Sequence, residues 1–175
     1  MVYTHYWAYQ PDSPQFTAIF PRLVADSRDI LAHLADRGVP LAGPTGIGEP
    51  LLNEAIIAVN GTRPETGENF VLAPGSGSGI AAHTEDGAAF RMDWCQTRHL
   101  PYDLAVTAIL LRAAHLAPRH VSLASDGSWP LDWDHARQLL TALFGADDPG
   151  SRLRPLAELG RGPEALHTRA LAHAA

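Results

Sequence analysis

From Val2 to Tyr9 the side chains alternate, with Tyr3, His5, Trp7 and Tyr9 on one side and Thr4, Tyr6 and Ala8 on the other. A period of two marks a strand. The period then changes. Asp12-Ser13-Pro14 supplies a cap and a proline for a first helical turn. Phe16, Ile19, Phe20, Leu23, Ile30, Leu31 and Leu34 then fall near one helical face, up to Gly38. Pro21 sits inside this pattern and predicts a kink, or a separate short turn over residues 13–20.

Further along, AGPTGIGEP (42–50) reads as a Gly/Pro loop and Glu54 to Val59 as a short apolar strand. Asn60-Gly61 predicts a tight turn, with Glu68 to Leu72 returning as the hairpin partner and PGSGSG (74–79) as a loop tip. Ala88 to Cys95 is the next strand. Phe90, Met92 and Trp94 share one of its faces, and Cys95 shares the other with Ala89, Arg91 and Asp93. Pro101 to Leu116 is the clearest helix, apolar almost all round and therefore central, with Asp103 facing the positive end of its dipole. His120 to Ala124 alternates as a strand and runs into Ser125-Asp126-Gly127. Asp132 can cap a last helix, whose core face holds Trp133, Leu139, Leu140 and Leu143 and whose stop is Gly145. The order β-α-β-β-β-α-β-α predicts an α+β fold, a mainly antiparallel sheet with helices packed on one face. Residues 1–146 make a single domain in this reading. Residues 147–175, rich in Arg, Gly, Pro and Ala, are expected as a loosely docked or disordered tail with a helical piece near 163–173.

Composition narrows the chemistry. A single cysteine excludes an internal disulfide and any zinc site built on two thiolates. The 13 basic residues are all arginine, so Schiff-base chemistry and a P-loop lysine are excluded. A net charge of −6 argues against a broad nucleic-acid footprint. MVYTHYW lacks a charged-then-apolar leader pattern, and the longest apolar run, AVTAILL (105–111), is short of the ~20 residues a bilayer span needs. A cytoplasmic location without membrane contact is the expectation.

Several motifs invite a specific reaction and fall short of it. His83-Thr84-Glu85 followed by Cys95 and His99 suggests a zinc deaminase, but the second cysteine of that signature is missing, and Pro101 makes 96–100 a loop. His120-Val121-Ser122 fits one half of a two-histidine phosphoesterase, and no second copy has the right order. GPTGIGEP lacks the Gly-Lys-Ser/Thr of a phosphate loop. Trp7, Trp129 and Trp133 could stack a flat ligand or fill the core. Cys95, just before a helix start and near Arg98 and His99, is a conceivable nucleophile or a small buried hydrophobe.

Taken together, Tyr3-Thr4-His5-Tyr6-Trp7, Asn60-Gly61, Glu68-Asn69-Phe70, Cys95-Gln96-Thr97, Pro101-Tyr102-Asp103 and Ser125-Asp126-Gly127 resemble the motifs of a family of small actinobacterial and phage-associated proteins. The resemblance covers about residues 2–145. It implies a shared fold and a mobile-element context, and no particular reaction. That family tends to be basic between the threonine and the proline. Here the stretch is Arg98-His99-Leu100, with one firm positive charge.

The residues point most directly to a polar pocket at the ends of the predicted elements, where such domains form their sites. The expected function is that of a small metal-independent enzyme, or of a small-molecule or nucleotide-binding protein. His5 would act as acid or base, Asp103 as its orienter and Cys95 as a further catalytic candidate. Thr4, Tyr6, Arg98, Tyr102 and Asp126 would bind, with Arg98 taking an anionic group. No metal or cofactor is expected. The partner is a small-molecule ligand or a protein, with nucleic acid disfavoured, and the composition leaves the oligomeric state open. The alternative is a non-enzymatic accessory or inhibitor protein of phage or mobile-element origin that binds a host protein, in which the same residues only brace the fold.

Overall fold

The computed structural model describes residues 3–75, 78–84 and 87–145. In chain order the elements are β1 (Thr4–Tyr9), α1 (Pro14–Ala35), β2 (Leu41–Ala42), β3 (Leu51–Asn53), β4 (Ile56–Gly61), β5 (Phe70–Leu72), β6 (Ile80–His83), β7 (Ala89–Gln96), α2 (Asp103–Leu116), β8 (Val121–Ser125) and α3 (Asp134–Phe144). The fold is α+β. Every strand pair is antiparallel. The expected tail, 147–175, lies outside the described residues, and no helix among those described is long and apolar enough to cross a membrane.

The main sheet has the order β6-β7-β1-β8, so the alternating N-terminal segment becomes an interior strand. Its register sets the two faces. Opposite His5 stand Cys95 and Ser125, opposite Trp7 stand Asp93 and Leu123, and opposite Tyr9 stand Arg91 and Val121. This inner face packs on the helices in one core with Trp7, Tyr9, Cys95, Leu123, Phe16, Leu23, Ile109 and Leu140 all buried. The outer face carries a small separate cluster of Ala8, Phe90 and Ala124 with Tyr6, Ala82 and Met92 around it. Helix α2 is buried from Ala105 to Ala114 without interruption, as its all-round apolar sequence requires. A second small sheet, in which β4 pairs with β2, β3 and β5, closes the core beside Trp7 through Phe70, Ile57 and Val59.

Four expectations change. Helix α1 runs on through Pro21, so residues 13–20 are not a separate short turn. The proline lies on the exposed side, and the buried series Phe16, Phe20, Leu23, Val24, Ser27, Ile30, Leu31 and Leu34 continues past it. Burying several large side chains at about 1.5–3 kcal/mol each outweighs the ~3 kcal/mol that one interior proline costs. Asn60-Gly61 is not a tight turn. Both residues end β4 and pair with β2, and residues 62–69 make the connection to β5. The Asn60 amide donates to the carbonyls of Pro44 and Gly67, so it ties two loops together. Leu41–Ala42, Leu51–Asn53 and Ile80–His83 are short strands that the sequence does not signal, since runs of two to four residues carry no period. Finally, Asp132 does not cap α3. Its carboxylate accepts the Ser128 N–H at 2.6 Å, and Trp133 occupies the cap position without a side-chain bond. A charged pair lies inside the helical layer. Arg112, 1 % exposed, donates to Asp26 at 2.7 Å, and its guanidinium lies 4.2 Å from the centre of the Phe144 ring.

Candidate functional site

The N-terminal end of β1, the C-terminal ends of β7 and β8 and the first turn of α2 meet at one end of the sheet. The main-chain ladder continues beyond the strands there. The Arg98 N–H donates to the Tyr3 carbonyl at 3.2 Å, and the Asp126 N–H donates to the Thr4 carbonyl at 3.0 Å. Between β7 and α2 the chain reverses tightly. Arg98 and His99 both adopt left-handed backbone angles, φ 57 and φ 58. Two successive non-glycine residues in that region are costly and need support from their surroundings. The support is local: the Leu100 N–H bonds the Thr97 carbonyl and the Asp103 N–H bonds the Leu100 carbonyl. The His99 ring also lies on Tyr3, with centroids 3.4 Å apart.

That turn brings the Asp103 carboxylate over His5. The His5 Nε2 to Asp103 Oδ1 distance is 2.8 Å, and the Thr97 hydroxyl donates to the same oxygen. On the other side of the ring, His5 Nδ1 lies 2.9 Å from Ser125 Oγ, whose oxygen accepts the Gly127 N–H at 2.9 Å. One assignment of protons satisfies every group. Asp103 is a carboxylate accepting from Nε2–H and Thr97, while Nδ1 accepts the Ser125 hydroxyl proton. Hydroxyl, imidazole and carboxylate thus form one chain, the order found where a base activates a hydroxyl and an acid orients the base. His5 and Ser125 are fully buried, whereas the Asp103 side chain is 18 % exposed, so the chain meets solvent at Asp103. The rings of Tyr3 and Trp133 stand nearly perpendicular to the imidazole, with centroids 5.0 and 5.1 Å from its own. Burial, with Asp103 and Asp132 nearby, pushes the Tyr3 phenol well above its ordinary range, and the adjacent Ser125 hydroxyl offsets part of that.

The other expected site residues divide. Thr4 takes part through its backbone, because its N–H donates to Asp126 Oδ2 at 3.0 Å. Asp126 is exposed beside the group, and its role in the fold is to pin β8 to β1. Tyr6 is not brought together with His5. It projects from the outer face, among Ala8, Phe90 and Ala124. Arg98 is exposed, and its Nε donates to Gln96 Oε1 at 3.2 Å. Cys95 and Tyr102 form a separate buried group. Both donate to the Glu68 carbonyl, at 3.3 and 2.8 Å, and Gly67 packs so closely that a Cβ there would stand 2.1 Å from the Tyr102 hydroxyl. Burial pushes the Cys95 thiol and the Tyr102 phenol well up, which is the opposite of what a nucleophilic thiolate needs. Trp7 and Trp133 are core residues, while Trp129 is half-buried under the Arg137 guanidinium.

Ser125, Thr97, Tyr3 and Trp133 belong to the group, and the sequence reading does not place them in it. Ser125 had one signal available, its place at the head of the Ser-Asp-Gly turn that ends β8. Comparison with family models, with curated proteins and with solved structures finds no match to this chain.

Proposed function

We propose that the chain is a small metal-independent enzyme or small-molecule-binding protein that works through His5 and Asp103. The observation that supports this most is the bonded chain from Ser125 Oγ through the His5 ring to the Asp103 carboxylate. An imidazole is the side chain best suited to move a proton near neutral pH, and here it has an acceptor on one side and a hydroxyl on the other. Ligand would meet the site at the Asp103 side, at the positive end of α2 and beside the exposed Arg98. Arg98 remains the group for an anionic moiety and would swing from Gln96 to reach it. A thermal-shift screen of the full chain with nucleotides and small organic acids tests the reading. At least one compound should raise Tm in the parent and lose that effect in Asp103→Asn. A screen with no hit, or hits that Asp103→Asn keeps in full, would count against it.

A second reading, a non-enzymatic accessory protein that binds a host protein, draws on different observations. His5 and Ser125 have no exposed surface and complete hydrogen bonding. The outer sheet face presents Ile80 at 60 % and Trp94 at 42 % exposure. Under this reading the phage-associated motifs brace the fold and the sheet face makes the contact.

A further inference from the structure

Part of the outer face of the main sheet is dry where an open face would be wet. Among the described residues, the outer cluster of Ala8, Phe90 and Ala124 packs with strand residues alone, and the helices join the inner core. Yet Ala8 and Phe90 are 4 % exposed and Ala124 has no exposed surface. Ala124 lies on the edge strand β8, and all five residues of that strand are buried. Phe90 stands beside Ala82 of β6. A phenyl ring rising next to an alanine on an uncovered sheet leaves much of its area in water. The far corner of the same face behaves as an open face should, with Ile80 and Trp94 both exposed. The cover is therefore local.

The dry positions form a stripe. Ala124 stands opposite Tyr6, Ala8 stands opposite Met92, and Phe90 is two residues from Met92 along β7. Ala124, Ala8 and Phe90 thus step diagonally across β8, β1 and β7. With strands ~4.8 Å apart and two residues rising ~6.7 Å, the stripe is about 16 Å long. About eleven residues of α-helix have that length, so one helix lying aslant would cover it.

Outside the described residues the chain holds three pairs, 1–2, 76–77 and 85–86, and one long stretch, 146–175. A pair of residues cannot cover three strands. Within the long stretch, Pro163 suits a first helical turn, and Leu166, Ala170 and Ala174 recur at four-residue steps along one helical face. Its small residues suit a close approach to Ala8 and Ala124. Residues 146–162 reach on the order of 50 Å when extended, enough to pass from the end of α3 round to the outer face. Charge agrees. Arg152, Arg154, Arg161 and Arg169 balance Asp147, Asp148, Glu158 and Glu164, so with neutral histidines the stretch brings no net side-chain charge to a stripe that has none.

We infer that residues 163–174 dock as an amphipathic helix along the Ala124–Ala8–Phe90 stripe and complete the outer layer of their own chain. The corner at Ile80 and Trp94 stays uncovered. The inference does not use the His5–Asp103 reading, since the His5 side chain lies on the inner face.

The test is paramagnetic relaxation enhancement in the full, isotopically labelled chain with a nitroxide on Thr168→Cys. Position 168 faces away from Leu166 and Ala170 on a helix, and the native Cys95 has no exposed surface to take the label. The amide signals of Ala8, Phe90, Ser122 and Ala124 should lose most of their intensity, while those of α1, behind the sheet, keep theirs. Leu166→Asp with Ala170→Asp leaves every described residue unchanged and should abolish the loss. Three results would each overturn the inference. One is a loss spread evenly over the molecule or centred on α1 or the Ile80–Trp94 corner. Another is a double variant that keeps the parent pattern. The third is the same loss appearing when isotopically labelled chain without nitroxide is mixed with unlabelled chain that carries it, since the occupant would then be the segment of a second copy.

Discussion

Asp103 is the group whose replacement distinguishes a charged network from simple packing. Its Oδ1 receives His5 Nε2–H at 2.8 Å and the Thr97 hydroxyl, and it stands in the first turn of α2. Asparagine keeps the shape and an acceptor at the same place but removes the charge. Each bond then falls from charge-assisted to neutral strength, a loss of about 1 kcal/mol apiece, and the favourable contact with the helix end, about 0.5 kcal/mol, goes too. The total for Asp103→Asn is about 2–3 kcal/mol. Alanine removes both bonds and strands an Nε2–H in a residue with no exposed surface, which adds a desolvation penalty and brings the cost to about 4 kcal/mol. Urea unfolding followed by circular dichroism reads the difference as a shift in midpoint at constant slope. If both variants lie within about 0.5 kcal/mol of the parent, the range of ordinary surface substitutions, Asp103 does not hold His5 in solution and the site argument loses its base.

Burial raises the phenols of Tyr3 and Tyr102 above their ordinary 10.0, that of Tyr9 up to about 12, and the thiol of Cys95 above 9.0. The folded state therefore keeps protons that the unfolded chain releases. Stability should be full below pH 9 and fall as the pH rises from there, by up to about 1.4 kcal/mol per pH unit for each group; unfolding midpoints that stay level from pH 8 to 11 would contradict this. Gly67→Ala should cost about 1–3 kcal/mol in the same assay, because a Cβ there meets the Tyr102 hydroxyl at 2.1 Å and the Gln96 carbonyl at 2.9 Å. Asp26→Ala should cost more than the ~1 kcal/mol of an exposed pair, since a 2.7 Å contact to Arg112, 1 % exposed, is lost; a loss no larger than that of an exposed pair would show that the charge reaches water.

The elements with a long, clean period are the ones legible in the chain itself. The alternation of Tyr3, His5, Trp7 and Tyr9 correctly separates inner from outer face, and Cys95 falls on the inner face as its alternation with Phe90, Met92 and Trp94 requires. The apolar run of α2 and the Gly145 stop after α3 are also where the pattern puts them. Placing Tyr6 in one group with His5 conflicts with that same alternation, because adjacent strand residues face opposite ways. Ser125 shows what sequence does not carry. Its hydroxyl meets His5 only because β8 lies antiparallel to β1 with those two residues opposite, a pairing across 120 positions. Asn60 fails for a related reason. A local dipeptide signal is overruled when its side chain bonds Pro44 and Gly67, which no short window includes.

A histidine sealed between two aromatic rings is not the stable choice for that position. An apolar core residue would fill the space without the desolvation cost, and networks of buried polar groups are often matched or exceeded in stability by well-packed hydrocarbon. The double variant His5→Leu, Ser125→Ala tests whether stability is what the network supplies. The single change His5→Leu leaves the Ser125 hydroxyl without its acceptor at a site with no exposed surface and should cost about 2 kcal/mol. Adding Ser125→Ala removes that orphan. The Gly127 N–H that Ser125 accepted sits at a half-buried position where water can replace the bond, so the double variant should recover to within about 1 kcal/mol of the parent. Recovery of stability, together with loss of every ligand-induced rise in Tm, would separate the purpose of the network from the folding of the chain. A double variant less stable than either single one would instead make the three side chains a structural brace, and the accessory-protein reading would then be the one to pursue.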